Sequence, residues 1–247
     1  MSAIRLLHLY PELMNLYGDR GNLICLQKRL QWAGYSCDIV PLRLHEPIDA
    51  VKSDFIFMGG GSDREQALLY NELRRQADYL WEQIEAGLPS MWICGGYQLL
   101  GQYYETADGT QLAGLGLFDF HTQAGLGRMI GNVILETEMT GDTTELIGFE
   151  NHGGRTYFND SSLRHLGRVV HGFGNNGEDG GEGLHYKNLI ATYLHGPLLP
   201  KNVELTDYVL ACILRRRGVE ELPPQDLELE RAAHRQARQR IMGGQRG

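Results

Sequence analysis

One of the four cysteines stands where chemistry is expected. The run Met91-Trp92-Ile93 ends at Cys94 and passes at once into Gly95-Gly96 and then Tyr97-Gln98-Leu99-Leu100. An apolar run, a nucleophile, two residues without side chains and a helix-compatible segment make the pattern of a nucleophile elbow. That sharp strand-to-helix turn needs small neighbours and lifts its side chain above the sheet edge. The sulfur then lies near a helix N-terminus, whose partial positive charge favours the thiolate. The N–H of Gly95, next along the chain, is placed to meet a developing oxyanion. A cysteine closing an apolar strand is more often a plain core residue; the Gly-Gly pair behind Cys94 is what favours the reactive reading. A thiol nucleophile needs a base, and His195 ends another apolar run, Leu189 to Leu194, just ahead of Gly196-Pro197. Such partners meet in the fold rather than in the sequence, so their long separation is no obstacle. His8, His45, His121, His165, His171, His185 and His234 have no comparable setting, and no histidine–cysteine spacing fits a zinc site.

Two further segments offer binding chemistry. Gly59-Gly60-Gly61-Ser62-Asp63 follows another apolar run, and N–H groups unobstructed by a Cβ can cradle a phosphate or supply a second oxyanion donor. Arg128, in Gly125-Leu126-Gly127-Arg128, reads as a loop residue entering a strand. Its planar fork suits two-pronged capture of a carboxylate, although most arginines are simply solvated. Glu150-Asn151-His152-Gly153-Gly154-Arg155 gathers polar groups that either line a site or turn the chain. Neither the G-x-x-x-x-G-K-[ST] phosphate loop nor the G-x-G-x-x-G fingerprint occurs, so ATP or dinucleotide binding by those devices is not expected.

The elements that must position these residues follow from periodicity. Ala3 to Leu9, Tyr35 to Val40, Asp54 to Met58 and Ser90 to Cys94 read as short strands; Asn22 to Ala33, with leucines at helical spacing, and a long segment from Ser62-Asp63 to Ala86 read as helices. Strands alternating with helices predict an α/β fold of flavodoxin-like type: a central, mostly parallel sheet with helices on both faces and ligands at the carboxyl ends of the strands. Beyond Gly101 the texture changes to short strands and glycine turns, at Met129 to Met139, Gly148 to Phe158 and Arg168 to Phe173, which predicts a mixed sheet. Gly174 to Gly183 reads as a surface loop, Leu189 to Leu194 as a buried strand and Val203 to Arg217 as an amphipathic helix. The division expected is one domain over 1–218 and a charged tail or exposed helix over 219–247.

Composition narrows the classes. The 247 residues carry 23 Lys and Arg against 31 Asp and Glu, a net charge of −8, which disfavours nucleic acid as a partner and adhesion to an anionic membrane. No apolar stretch approaches a membrane span, no secretory signal opens the chain, and Cys25, Cys37, Cys94 and Cys212 are too sparse for a disulfide framework. A cytoplasmic setting with reduced thiols is the expectation.

Four segments together resemble the class I glutamine amidotransferases, and within them the cobyric-acid-synthase-like branch. They are Phe57 to Gln66 (FMGGGSDREQ), Ile93 to Gly101 (ICGGYQLLG), Gly148 to Thr156 (GFENHGGRT) and Tyr193 to Leu199 (YLHGPLL). With Tyr17 to Asn22 (YGDRGN) and Gly172 to Gly180 (GFGNNGEDG), the likeness extends to about Leu214 and looks closest to the free-standing members that serve cell-wall amidation. The resemblance implies that Cys94 attacks the side-chain amide of L-glutamine, giving a glutamyl thioester and ammonia, with His195 moving protons. It implies Gly95 and Gly60 as oxyanion donors, the choice among Gly59 to Gly61 staying open, and Arg128 as the holder of the α-carboxylate. It implies no cofactor in this chain: ATP is expected on a Mur-ligase-like partner, MurT, in a heterodimer that amidates the D-glutamate α-carboxyl of lipid II, reached through that partner. Many class I enzymes place a glutamate two residues after the histidine, where this chain has Pro197. Either a dyad suffices or another acid, such as Asp19 or Glu150, orients the imidazole. Two alternatives remain on sequence alone: a glutaminase serving corrinoid-type amidation, and a non-catalytic binding module on the same fold with Cys94 merely buried.

Overall fold

The computed structural model describes residues 2–48 and 52–244. Six strands form one sheet in the order β11-β12-β4-β3-β1-β2, with β1 Ile4–Leu9, β2 Cys37–Leu42, β3 Phe55–Met58, β4 Ser90–Ile93, β11 Leu184–Tyr186 and β12 Leu189–Thr192. All neighbours are parallel except the β11–β12 edge pair. Side chains alternate across a strand, so each central strand feeds two cores. Leu7, Leu9, Ile56, Met58 and Trp92 pack on one face with Leu69 and Leu73 of α2 (Asp63–Arg74) and Leu80 and Ile84 of α3 (Ala77–Glu85). Leu6, Phe55, Phe57, Met91 and Ile93 pack on the other with Leu23, Leu26 and Leu30 of α1 (Arg20–Trp32) and with Leu205, Val209 and Ile213 of α5 (Val203–Arg215). Burial on both faces is why these strands read as unbroken apolar runs.

The second sheet is built on two long strands, β7 (Phe120–Thr137) and β8 (Thr144–Phe158), paired antiparallel almost from end to end. β5 (Tyr103–Glu105), β6 (Gln111–Ala113), β9 (Gly167–His171) and β10 (Gly181–Glu182) extend it, and β13 (Leu194–His195) joins β8. The chain therefore leaves the first sheet at Thr192 and enters the second at Leu194, with Tyr193 as the step between.

Four sequence expectations change in detail. The helix expected from Ser62 to Ala86 is two, because Gln76 turns inward at the junction and bonds the Ile48 N–H and the Tyr10 hydroxyl. The strand expected from Met129 begins nine residues earlier, at Phe120. Arg128 thus lies inside β7, at a register shift between Ala124 and Met129 where Gly127 takes φ +72°, and not in a loop. The segment from Gly174 to Gly183 is exposed only at its tip: Asn175, Asn176 and Glu182 are buried. Asn175 spans the segment, accepting the Gly183 N–H at 2.8 Å and donating to Tyr97 Oη at 3.2 Å. Asn176 accepts from the amides of Glu178 and Asp179. Side chains that satisfy backbone groups internally let a glycine-rich stretch be buried without an energetic penalty from unpaired amides.

At the C-terminal end α6 (Glu228–Gly243) buries none of its residues. It is held by charge and hydrogen bonds, with Arg231 on Glu204, Arg238 on Glu145 and His234 Nδ1 on the Lys201 carbonyl at 2.8 Å.

Candidate active site

Four connections meet at the carboxyl ends of adjacent parallel strands, where ligands bind in sheets of this kind. Asp19 follows β1, the Gly59–Gly61 turn follows β3, Cys94 follows β4 and His195 follows β12. Cys94 takes φ 50° and ψ −105° and caps α4 (Gly95–Leu99). A side-chain-bearing residue in that region stores about 1–3 kcal/mol and stays there only where its surroundings fix it. Its N–H donates to the Thr192 carbonyl at 2.8 Å, and its carbonyl accepts the Gln98 N–H at 2.9 Å. The two glycines behind it answer to packing as well as to the bend. A Cβ on Gly95 would lie 2.8 Å from the Gly61 carbonyl oxygen, and one on Gly96 3.1 Å from that of Gly59.

His195 and Asp19 are both buried, and His195 Nδ1 lies 3.1 Å from Asp19 Oδ1. Asp19 caps α1 from the turn after β1, so an acid distant in sequence occupies the orienting position. Its second oxygen accepts the Gly60 N–H at 3.1 Å. A carboxylate accepting here fixes hydrogen on Nδ1 and turns Nε2 toward Cys94. A Cβ on Gly60 would stand 3.2 Å from His195 Cε1 and 3.3 Å from Cys94 Cβ, which shows how closely the three groups converge. Burial alone would lower the imidazole pKa, but the Asp19 carboxylate and the Cys94 sulfur outweigh it and raise it to about 10. Tyr17, with φ +59°, lays its ring edge-on against His195, centroids 4.7 Å apart.

Glu150, the other acid considered, faces elsewhere. Its oxygens accept the N–H groups of Phe173 and Gly174 at 2.8 and 3.0 Å, and His152 Nε2 is 3.5 Å away. His152 donates from Nδ1 to the Gly154 carbonyl and stacks on Tyr193 at 3.8 Å. Tyr193 in turn bonds Thr156 and Gln98, so the residue between the sheets is tied to both the second sheet and the elbow helix.

A pocket of about 450 Å³ opens in front of Cys94, bounded by Tyr17, Asp63, Gln98, Tyr104, Arg128 and His152. Arg128 donates from Nε to Asn151 Oδ1 at 2.8 Å and from Nη2 to the Asn151 carbonyl at 2.7 Å. Two fixed donors aim the fork and leave the others for a ligand. The residues anticipated from sequence, Cys94, His195, Gly60, Gly95 and Arg128, are thus brought to one place, although the Gly60 N–H is engaged by Asp19. Asp63 and Tyr104 were not anticipated there; only their nearness to the glycine turn and to the second sheet signalled them. Among the described residues no group of acids, histidines and cysteines is arranged to hold a metal, and no helix is long and apolar enough to cross a membrane.

Comparison with known proteins agrees with this geometry. Residues 5–203 match the CobB/CobQ-like glutamine amidotransferase domain. The chain is 45% identical over 239 residues, 97% of its length and 95% of the relative's, to a Staphylococcus aureus protein named lipid II isoglutaminyl synthase (glutamine-hydrolyzing) subunit GatD. It is 38% identical to the Streptococcus pneumoniae protein of the same name, over 87% of this chain and 82% of that one. A probable cobyric acid synthase of Methanocaldococcus jannaschii is 30% identical, but the chain spans only 39% of it. Among solved structures, one described as PurLQS from Thermotoga maritima shares the fold at a TM-score of 0.59 and 18% identity, covering 87% of this chain and all of the other.

Proposed function

The chain belongs to the CobB/CobQ-like glutamine amidotransferase family, and from that we propose that it hydrolyses L-glutamine at Cys94 and passes the ammonia to a partner that amidates lipid II in peptidoglycan synthesis. The observation that supports this most is the line Cys94–His195–Asp19 at the strand ends, opening on a pocket that presents Arg128. The names of the two relatives matched over most of their lengths support lipid II as the acceptor.

In this reading Arg128 takes the α-carboxylate of glutamine and the side-chain amide reaches the elbow. With its pKa raised to about 10, His195 stands protonated beside the Cys94 sulfur, and an adjacent imidazolium favours attack by that sulfur as the thiolate. The thiolate attacks the amide carbon, and the oxyanion is met by the Gly95 N–H at the start of α4. The glycine turn gives the second donor. Gly60 serves by releasing the Asp19 carboxylate that holds its N–H in the resting site. His195 protonates the departing nitrogen, leaving a thioester and ammonia; it then takes a proton from water, which attacks the thioester and frees glutamate. The chain needs no cofactor for these steps. ATP belongs to the acceptor's activation on a Mur-ligase-like subunit of the MurT kind, which prepares the D-glutamate α-carboxyl.

The test is glutamate release from L-glutamine by the chain and by Cys94→Ala, each with and without the Mur-ligase-like subunit. Release by the wild type alone, with ammonia appearing in amidated lipid II when ATP and the subunit are present, is expected. Turnover by Cys94→Ala, or none in any wild-type mixture, overturns the reading.

A further inference from the structure

The pocket holds an acid that the thiol chemistry does not use. Asp63 is the first residue of α2, yet the cap of that helix is made by its neighbours: Ser62 and Glu65 bond each other reciprocally. Asp63 lines the same pocket as Cys94 and Arg128. Burial raises its carboxyl above the usual range, opposed by the neighbouring Tyr104 hydroxyl and Arg128 guanidinium. Tyr104 is itself raised by burial and by Asp63, and lowered by Arg128. The acid, the phenol and the guanidinium therefore act on one another in the wall of the pocket that Cys94 also lines.

An α-amino acid carries a carboxylate and an ammonium on one carbon, so a site that reads it needs a cation and an anion side by side. Arg128, aimed by Asn151, is the cation, and Asp63 is the anion set near it. A carboxylate in the pocket wall is well suited to this, because an arriving ammonium makes a charge-assisted hydrogen bond with it. We propose that Asp63 is a specificity-determining residue that accepts the α-ammonium group of the substrate, making the pocket selective for free L-glutamine over ω-amides that lack the amino group. This rests on the glutaminase reading. Arg128, Asp63 and Cys94 then engage three substituents of one chiral carbon.

The experiment compares L-glutamine with 4-carbamoylbutanoate, which has the same chain and carboxylate without the amino group. Binding of both is measured by calorimetry on the full chain carrying Cys94→Ala, with and without Asp63→Asn, and ammonia release from both is measured with Cys94 intact. Asp63→Asn is expected to weaken L-glutamine, in affinity and in KM, by about 10- to 100-fold. Its kcat for L-glutamine and its affinity for 4-carbamoylbutanoate should change less than threefold. Equal weakening of both ligands, or of neither, overturns the assignment while leaving the glutaminase reading intact. L-glutamine bound with the expected pattern but never turned over overturns the glutaminase reading and keeps the assignment. Absence of both binding and turnover overturns the two together.

Discussion

Replacing Asp19 by asparagine isolates the acid that orients His195 and keeps nearly all its atoms. Asp19 meets two donors, His195 Nδ1 through one oxygen and the Gly60 N–H through the other. An amide has only one oxygen, so the substituted side chain must turn its NH₂ toward one of the two and leave a buried donor facing a donor. The charge is lost as well. An opposite charge at this distance supports a pKa by about 1–3 units, about 1.4–4 kcal/mol, and His195 stands at about 10 against the burial that would lower it. The protonated imidazole is present below that value and lost above it, so the alkaline limb of glutamate release should move down by about 1–3 units. With the tautomer also disturbed, kcat should fall by about 10²–10⁴, the upper end being the loss seen for such a change in serine-protease triads. KM should move little, since Asp19 is buried behind the imidazole. The assay is glutamate release between about pH 6 and 10.5, with thermal melts to show that the variant is folded. An alkaline limb that stays in place, or a kcat within threefold of wild type in a folded variant, refutes the role given to Asp19.

Glu150→Gln should leave that alkaline limb where it is and instead lower stability by about 1–3 kcal/mol, because it removes an acceptor from the Phe173 or Gly174 N–H; denaturant unfolding beside a pH profile separates the two. Gly95→Ala should abolish glutaminase activity and cost about 1–3 kcal/mol, since its Cβ would press on the Gly61 carbonyl oxygen; a folded, active variant would mean that the two glycine turns are not locked together. Glu182 is wholly buried, and burial raises its carboxyl to about 8, against its bonds from Thr192 and the Tyr193 N–H. The folded chain then holds a proton that the unfolded chain releases between the ordinary carboxylate value and about 8. Stability should fall as pH rises through that window and level off above it. Glu182→Gln should flatten the slope, which melts at about pH 5 and 8.5 would show.

Cys94 and His195 were legible because each ends an apolar run and is followed by glycine, a local signal of a strand stopping at a sheet edge. Arg128 was legible as a candidate for the site but not as a strand residue, since the bulge that presents it breaks the alternation along β7. The orienting acid was narrowed only to Asp19 or Glu150. Choosing between them depends on where β1 lies beside β3, which no spacing within either segment encodes. The break after Arg74 was hidden because the apolar residues keep a helical rhythm across it, and one polar contact from Gln76 decides it. Gly174 to Gly183 looked like surface because its composition is that of turns. Asn175 and Asn176 supply the internal hydrogen bonds that let it be covered.

The passage of the chain from one sheet to the other at Tyr193 has a mechanical consequence. Cys94 is carried by the first sheet and His195 by the second, so the sulfur-to-imidazole distance gauges how the two sheets are seated on each other. Catalytic geometry tolerates only about 0.5 Å of error. A slide of that size between the layers would uncouple the pair with every strand intact. The bonds of Tyr193 to Thr156 and Gln98 and its stacking on His152 act as the dowel that prevents such a slide. Whatever loosens that dowel is expected to part Cys94 from His195 before it unfolds anything.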